Sequence, residues 1–272
     1  MTDRYAVIGN PIAHSKSPLI HEAFARQTGA DLTYGRLLGD PDHFGDQVRE
    51  FFAQGGRGMN VTLPFKEAAW RLADESDTRA SRAEAANTLI PLGDGRLRAD
   101  NTDGVGLLRD LARHQIAIGG RRVLLLGAGG ACRGLLLPLL EAQPASLVVA
   151  NRTPSKALEL AARFQDLGPV TGSSLADLTG RHFDLILNAT SASLSGQAPE
   201  VPDACLVPGG MVYDLMYGDQ PTAFMHWGLA EGASLALDGL GMLVEQAAEA
   251  FFLWRGVRPD TASVLAALRS GT

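Results

Sequence analysis

Four groups of residues in the first hundred or so positions carry side chains able to bind ligands or move protons. They are Ser15 with Ser17, Thr62 with Lys66, Asn87, and Asn101–Asp103. Each stands where an apolar, strand-like run gives way to a loop, the position at which open α/β sheets present ligand groups. Lys66 and Asp103 are the pair with acid–base capacity. Pro64 and Phe65 strip water from the lysine and ease the loss of its proton, and a nearby aspartate would hold it in place with its charged form still accessible. The same two residues also fit a surface ion pair or an unrelated helix cap, and their spacing does not choose between these readings.

A second chemistry is written between Val123 and Arg152. An apolar run, Val123–Leu126, meets a glycine cluster, Gly127-Ala128-Gly129-Gly130; an apolar helical stretch to about Gln143 and a second apolar run, Leu147–Ala150, follow. Strand, glycine turn, helix and strand within about thirty residues form the βαβ unit of dinucleotide-binding domains. The glycines permit a tight turn and let a pyrophosphate reach backbone N–H groups at the positive helix N-terminus. Where NAD sites carry an acid for the ribose 2′-hydroxyl, this chain has Asn151-Arg152-Thr153, with Lys156 one turn on. A carboxylate there would repel a 2′-phosphate, whereas a guanidinium binds it bidentately. These residues point to NADP(H). Thr153-Pro154 also reads as the N-cap and first residue of the next helix.

The elements that must position these groups alternate β and α throughout. In the first hundred residues, strands are expected at Tyr5–Ile8, Leu32–Leu37 and Gly58–Leu63, and a hairpin at Asn87–Pro91 and Leu97–Asp100 around Gly93-Asp94-Gly95. Between them fall a helix capped by Ser17 and ended by Gly29, one begun by Asp40-Pro41, and one from Pro64 to about Leu72. A helix starting at Asn101–Gly104 leads to the glycine turn. Further strands are expected near Val170 and at Phe183–Asn188, Met211–Leu215 and Ser234–Asp238. Two helices, Met242–Arg255 and Thr261–Leu268, close the chain; the first is apolar on most sides and reads as buried.

Bulk properties exclude several classes. The net charge of −6, without a long Lys/Arg run, argues against nucleic acid or an anionic membrane as partner. Apolar stretches of about ten residues are too short to span a bilayer, and the chain opens directly into a strand without a basic-then-apolar leader, so a cytoplasmic location is expected. Cys132 and Cys205 form neither a disulfide framework nor a metal knuckle, and no metal site is expected. His14 and His21, split by a loop–helix junction, read as solvated or core-packed. None of the four tyrosines opens a Tyr-x-x-x-Lys pair, and the scattered Cys and His residues do not make a zinc alcohol dehydrogenase site.

At these residues the chain resembles the shikimate dehydrogenase family over essentially its whole length. The matching stretches are Gly9–Pro18, Asn60–Lys66, Ala86–Thr88, Asn101–Gly104, Gly127–Ala131, Asn151–Thr153, Asn188–Ser191 and Asp238–Met242. The resemblance implies an α/β protein: an N-terminal α/β substrate domain with a mainly parallel sheet (1–103 and 239–272), plus an inserted Rossmann NADP-binding domain (104–238). It implies an oxidoreductase, NADPH-dependent reduction of 3-dehydroshikimate to shikimate in aromatic amino-acid biosynthesis, with Lys66 as proton donor/acceptor coupled to Asp103. Ser15 and Ser17 would bind the substrate carboxylate with help from Tyr213, while Thr62, Asn87, Asp103 and Gln246 hold the ring hydroxyls. On the cofactor side, Gly127, Ala128, Gly129, Gly130 and Ala131 would take the pyrophosphate, and Asn151, Arg152, Thr153 and Lys156 the 2′-phosphate. Thr190, Met211 and Gly239 would border the nicotinamide. A small polyol acid calls for many short hydroxyl and amide groups and one titratable centre, and the first domain supplies them. The partners expected are small molecules, with monomer and homodimer both open.

Two stretches depart from the family pattern: Ser191-Ala192-Ser193, where the loop near the nicotinamide is expected to be stiffer, and Gly218–Ala223. Two other readings remain: a quinate/shikimate dehydrogenase of relaxed NAD/NADP use, and a non-catalytic dinucleotide-binding paralogue. Arg152 without an acid disfavours the first, and intact Lys66 and Asp103 the second.

Overall fold

The computed structural model describes residues 2–190, 192 and 196–271. It divides into two compact units, Met1–Gly106 with Leu243–Thr272, and Leu107–Met242. Each contains one six-stranded sheet among the described residues.

The first unit runs β1 (Asp3–Gly9), α1 (Ser17–Thr28), β2 (Leu32–Leu38), α2 (Phe44–Ala53), β3 (Gly56–Val61), α3 (Lys66–Leu72), β4 (Glu75–Ser76), α4 (Thr78–Ala83), β5 (Thr88–Pro91) and β6 (Leu97–Asp100). α5 (Asp103–Arg113) carries the chain out of it. The sheet order is β2-β1-β3-β5-β6-β4. β1 lies parallel to β2 and β3, while β5 is antiparallel to both β3 and β6. Its core includes Ile8, Phe44, Val48, Met59, Phe65 and Leu89.

Three local details differ from the sequence reading. α1 includes Ser17 as its first residue, and Lys16 holds the cap position without a side-chain bond. α2 starts at Phe44, because Asp40 accepts from the Asp42 N–H and residues 41–43 form a turn. α4 was not expected; Asp77 caps it by accepting from the Arg79 N–H.

The second unit contains β7 (Arg122–Leu126), α6 (Gly130–Glu141), β8 (Ser146–Ala150), α7 (Pro154–Ala162), β9 (Val170–Ser173), a 3₁₀ turn at Ala176–Leu178, β10 (Phe183–Asn188), β11 (Leu206–Asp214), α8 (Ala223–Ala230) and β12 (Leu235–Leu237). Its sheet is wholly parallel, in the order β12-β11-β10-β7-β8-β9. Strands of this kind are buried on both faces, and Val123–Leu126 and Leu147–Ala150 are fully buried accordingly. Chain order reverses direction between β7 and β10, the switch point at which doubly wound sheets receive a nucleotide beyond the carboxyl ends of their strands.

α9 (Leu240–Arg255) returns to the first unit and α10 (Thr261–Ser270) follows it. Within the first unit α9 buries Val244, Ala248 and Phe251, and the Trp254 indole N–H donates to the Leu89 carbonyl at 3.1 Å. A Cβ on Gly58 would strike the Trp254 ring, so glycine at that point lets helix and strand approach. Among the described residues, no helix is long and apolar enough to cross a membrane.

Candidate active site

In the first unit, mixed strand polarity gathers the polar groups at one edge of the sheet. β1 and β3 both end there. β5, antiparallel to β3, begins there, with Asn60 opposite Thr88. β6, antiparallel to β5, ends there, with Asp100 opposite Thr88. The loops carrying Ser15, Ser17, Thr62, Asn87 and Asp103 therefore leave the sheet at the same side.

A continuous hydrogen-bond network links four of the expected residues. The Lys66 ammonium donates to Asp103 Oδ2 at 2.5 Å, with side chains only 12% and 6% exposed. The other oxygen, Oδ1, accepts from Asn87 Nδ2 at 2.8 Å. Asn87 Nδ2 also faces Gln246 Oε1 at 3.1 Å, and Gln246 Nε2 donates to the Leu243 carbonyl. The orientation of the Asn87 amide is forced, because its Oδ1 accepts from the Thr102 backbone N–H at 2.9 Å, a group that can only donate. Both carboxylate oxygens of Asp103 are thus engaged, and the lysine is held by a buried partner rather than by a surface ion pair.

Behind this cluster Asn60 Nδ2 donates to the Asn87 carbonyl at 3.0 Å, and Asn60 Oδ1 accepts from the Tyr34 hydroxyl at 2.7 Å. Burial pushes the Tyr34 phenol well up, against a smaller opposing effect from Ser17. Burial also pushes His21, stacked on Tyr34 at 4.2 Å, down to about 3. Ser17 is buried, Ser15 and Thr62 are half-buried, and Ser15 Oγ accepts from the Ser17 N–H at 3.3 Å. Thr102 and Asn60 are members of the network that sequence reasoning assigned no role. Both lie inside the quoted motifs, one residue before Asp103 and two before Thr62.

In the second unit, Gly127 follows β7 at φ +116°, and a Cβ there would stand 3.1 Å from the Ala189 carbonyl. A Cβ on Gly129 would meet nothing within 4 Å, so this residue leaves open space before the N-terminus of α6, which begins at Gly130. Cys132 Sγ donates to the Gly127 carbonyl at 3.0 Å, and burial pushes its thiol well up. At the end of β8, Arg152, Thr153 and Lys156 are exposed and Asn151 is half-buried. Thr153 occupies the cap position of α7 but makes no side-chain cap; Asn151 Nδ2 donates to its carbonyl instead. An open glycine cradle at a switch point, with an exposed guanidinium and no acid at the next strand end, fits a 2′-phosphorylated dinucleotide.

Thr190 follows β10, its hydroxyl donating to Asn188 Oδ1 at 2.7 Å; Asn188 in turn donates to Asp214. Gly239 packs against the Leu215 carbonyl, and its N–H donates to Met216 O at 2.9 Å. Two expectations need correction. Tyr213 is fully buried in the core of the second unit, where its hydroxyl donates to Asp110 at 2.7 Å and accepts from the Met242 N–H. Burial and Asp110 together push the phenol well up. Met211 is in register with Leu185, which pairs with Val123, so it lies three residues short of the carboxyl end that Asp214 shares with Leu126. It packs against the core instead of bordering a nicotinamide. Met216 and the half-buried Tyr217, past the end of β11, line a cavity of about 510 Å³. Of the two departures, Ser191 and Ser193 lie outside the described residues. Across Gly218–Ala223 the backbone is regular enough for Thr222 to cap α8 and donate to Asp214.

Comparison with known proteins agrees with both halves. Models of the shikimate dehydrogenase substrate binding domain, the shikimate/quinate 5-dehydrogenase domain and the shikimate 5′-dehydrogenase C-terminal domain match residues 7–89, 110–196 and 239–269. A shikimate dehydrogenase (NADP⁺) of Cellvibrio japonicus is 56% identical over 99% of this chain and 98% of its own length. The chain belongs to the shikimate dehydrogenase family. The shikimate 5-dehydrogenase of Thermus thermophilus, solved with NADP(H) and shikimate, superposes with a TM-score of 0.89 at 34% identity, covering 100% of each chain. An Ael1 enzyme of Pseudomonas putida superposes with a TM-score of 0.90 at 50% identity, covering 98% of each chain.

Proposed function

We propose that this member of the family catalyses the reversible, NADPH-dependent reduction of 3-dehydroshikimate to shikimate. The observation that carries the reading is the buried Lys66–Asp103 pair, clamped by Asn87 at a sheet edge that also collects Ser15, Ser17 and Thr62. NADPH, when bound, supplies the hydride for the keto carbon. Lys66 gives a proton to the substrate oxygen as it becomes a hydroxyl, and takes it back in the reverse direction. Asp103 keeps the ammonium aimed. Ser15 and Ser17 hold the carboxylate, and Thr62, Asn87 and Gln246 the ring hydroxyls. On the cofactor side, Gly127–Ala131 receive the pyrophosphate, Asn151, Arg152, Thr153 and Lys156 the 2′-phosphate, and Thr190 and Gly239 approach the nicotinamide. The unpaired thiols of Cys132 and Cys205 accord with work in the reducing cytoplasm.

The test is kcat/KM for shikimate and quinate with NADP and with NAD. Shikimate with NADP should dominate, and Lys66→Ala should lose about two to four decades of kcat. Arg152→Ala should raise KM for NADP far more than for NAD. An unaffected Lys66→Ala rate overturns the role of the lysine, and equal cofactor effects overturn that of Arg152.

A further inference from the structure

The reading of the substrate leaves a charge to account for. Its carboxylate is a full negative charge, yet Ser15 and Ser17 are neutral, and a carboxylate moved from water onto neutral donors loses solvation that a nearby cation can replace. Arg36, on β2, lies next to that loop. Its Nε and Nη2 both donate to the Ser15 carbonyl, at 3.0 and 2.6 Å. The guanidinium therefore sits one peptide group from the seryl hydroxyl, and it holds the turn in which the Ser15 N–H donates to the Ile12 carbonyl and Ser15 Oγ accepts from the Ser17 N–H. With its lone pair engaged by that N–H, the Ser15 hydroxyl keeps its own hydrogen for an acceptor. Arg36 does so from an exposed site, where its charge is not cancelled by a buried carboxylate. Lys16, at the cap position of α1 between the two serines, makes no side-chain bond to the helix end.

Resting on the substrate reading above, we infer that Arg36 is a positioning and charge-compensating residue for the substrate carboxylate: it fixes the Ser15–Ser17 loop through the Ser15 carbonyl and supplies the positive field that the neutral serines lack.

The experiment compares wild type, Arg36→Lys and Arg36→Ala in oxidation of shikimate and of shikimate methyl ester by NADP, at 10 mM and 500 mM salt. At low salt Arg36→Ala should raise KM for shikimate about fivefold to tenfold, as expected for a unit charge acting across a partly hydrated distance, with kcat and KM for NADP within twofold. High salt should shrink that difference, because screening at 0.5 M reaches only a few ångströms. Arg36→Lys keeps the charge without the fork and should recover at least half of the loss in free-energy terms. KM for the uncharged ester should rise clearly less than KM for shikimate, by the share that positioning of the loop contributes. An unchanged KM for shikimate in Arg36→Ala overturns the inference, and so does an equal rise for acid and ester, which would leave only a general loosening of the loop. If wild type does not oxidise shikimate at all, it is the substrate reading that has failed, and the inference resting on it is overturned with it.

Discussion

His21 makes the first unit acid-sensitive by a calculable amount. The ring is 1% exposed, stacked on Tyr34 at 4.2 Å and edge-on to Phe24 at 5.8 Å, and burial drives its proton affinity down from 6.5 to about 3. The unfolded chain binds a proton below about pH 6.5 and the folded chain does not, so this group's contribution is fully present above pH 6.5 and is lost as pH falls towards 3. At about 1.4 kcal/mol per pH unit, lowering pH from 7.5 to 5 removes roughly 2 kcal/mol through this one side chain. His21→Phe keeps an aromatic ring in the stack and abolishes the titration. Urea unfolding of both proteins in a Trp227→Phe background, followed by Trp70 and Trp254 fluorescence, reports on the first unit. The stability gap between wild type and His21→Phe should shift by about 2 kcal/mol in favour of the variant between those two pH values. Parallel stability curves, with a gap constant to about 0.5 kcal/mol, would refute the assignment of a neutral buried imidazole.

Two further outcomes follow from charge burial and backbone geometry. Arg79 donates through Nε and Nη2 to Asp100 at 2.9 and 2.8 Å and through Nη1 to Glu249 at 3.3 Å; both carboxylates are under a tenth exposed. Arg79→Leu should destabilise the first unit by about 3–5 kcal/mol in urea titrations, whereas Arg96→Ala, which breaks the exposed pairs to Glu75 and Asp94, should cost less than about 1 kcal/mol. Glu84 ends α4 at φ +46°, a left-handed conformation unfavourable to side chains. Glu84→Gly should raise the thermal midpoint, by the equivalent of about 1 kcal/mol.

How much could be read from the chain depended on how local each signal was. The Val123–Arg152 unit was legible because glycine turn, buried strands and the acid-free strand end are all encoded within thirty residues. The hairpin around Gly93–Gly95 was legible for the same reason. α4 was missed because Thr78–Ala83 has no apolar periodicity, although Asp77 announced its start. Tyr213 and Met211 came from family likeness, and likeness does not say which residues of an apolar run reach the carboxyl end of β11, which falls at Asp214. Only pairing with β10 and β7 counts that out. The partner that occupies the Tyr213 hydroxyl, Asp110, lies 103 residues away in sequence, beyond the reach of any local pattern. The Lys66–Asp103 pair spans 37 residues and was visible as two candidates but not as a contact. Gln246 came from family likeness alone.

The polarity of the Asn87 amide decides what the acid–base pair can do. Its Oδ1 is fixed by the Thr102 N–H and also accepts from the Thr88 hydroxyl at 2.9 Å, so its N–H₂ must face Asp103 Oδ1 and Gln246 Oε1. Asn87→Asp preserves shape and the acceptor towards Thr102, but turns a donor into an oxygen 2.8 Å from a carboxylate. A hydrogen bond to a charged group is worth about 1.5–3 kcal/mol, so its loss predicts a fall of about ten- to a hundredfold in kcat/KM near neutral pH. The introduced carboxyl has a like charge as neighbour and holds its proton above the ordinary carboxylate range. While it keeps that proton it donates to Asp103 as the amide does. The folded protein binds the proton more tightly than the unfolded chain, so both stability and activity of the variant should be greatest at low pH and decline as pH rises through the raised titration. The ratio of wild-type to variant kcat/KM, measured from pH 5.5 to 8.5, should therefore grow with pH. A ratio independent of pH would mean that Asn87 faces Asp103 with no donor to lose, and the orientation derived from Thr102 would be wrong.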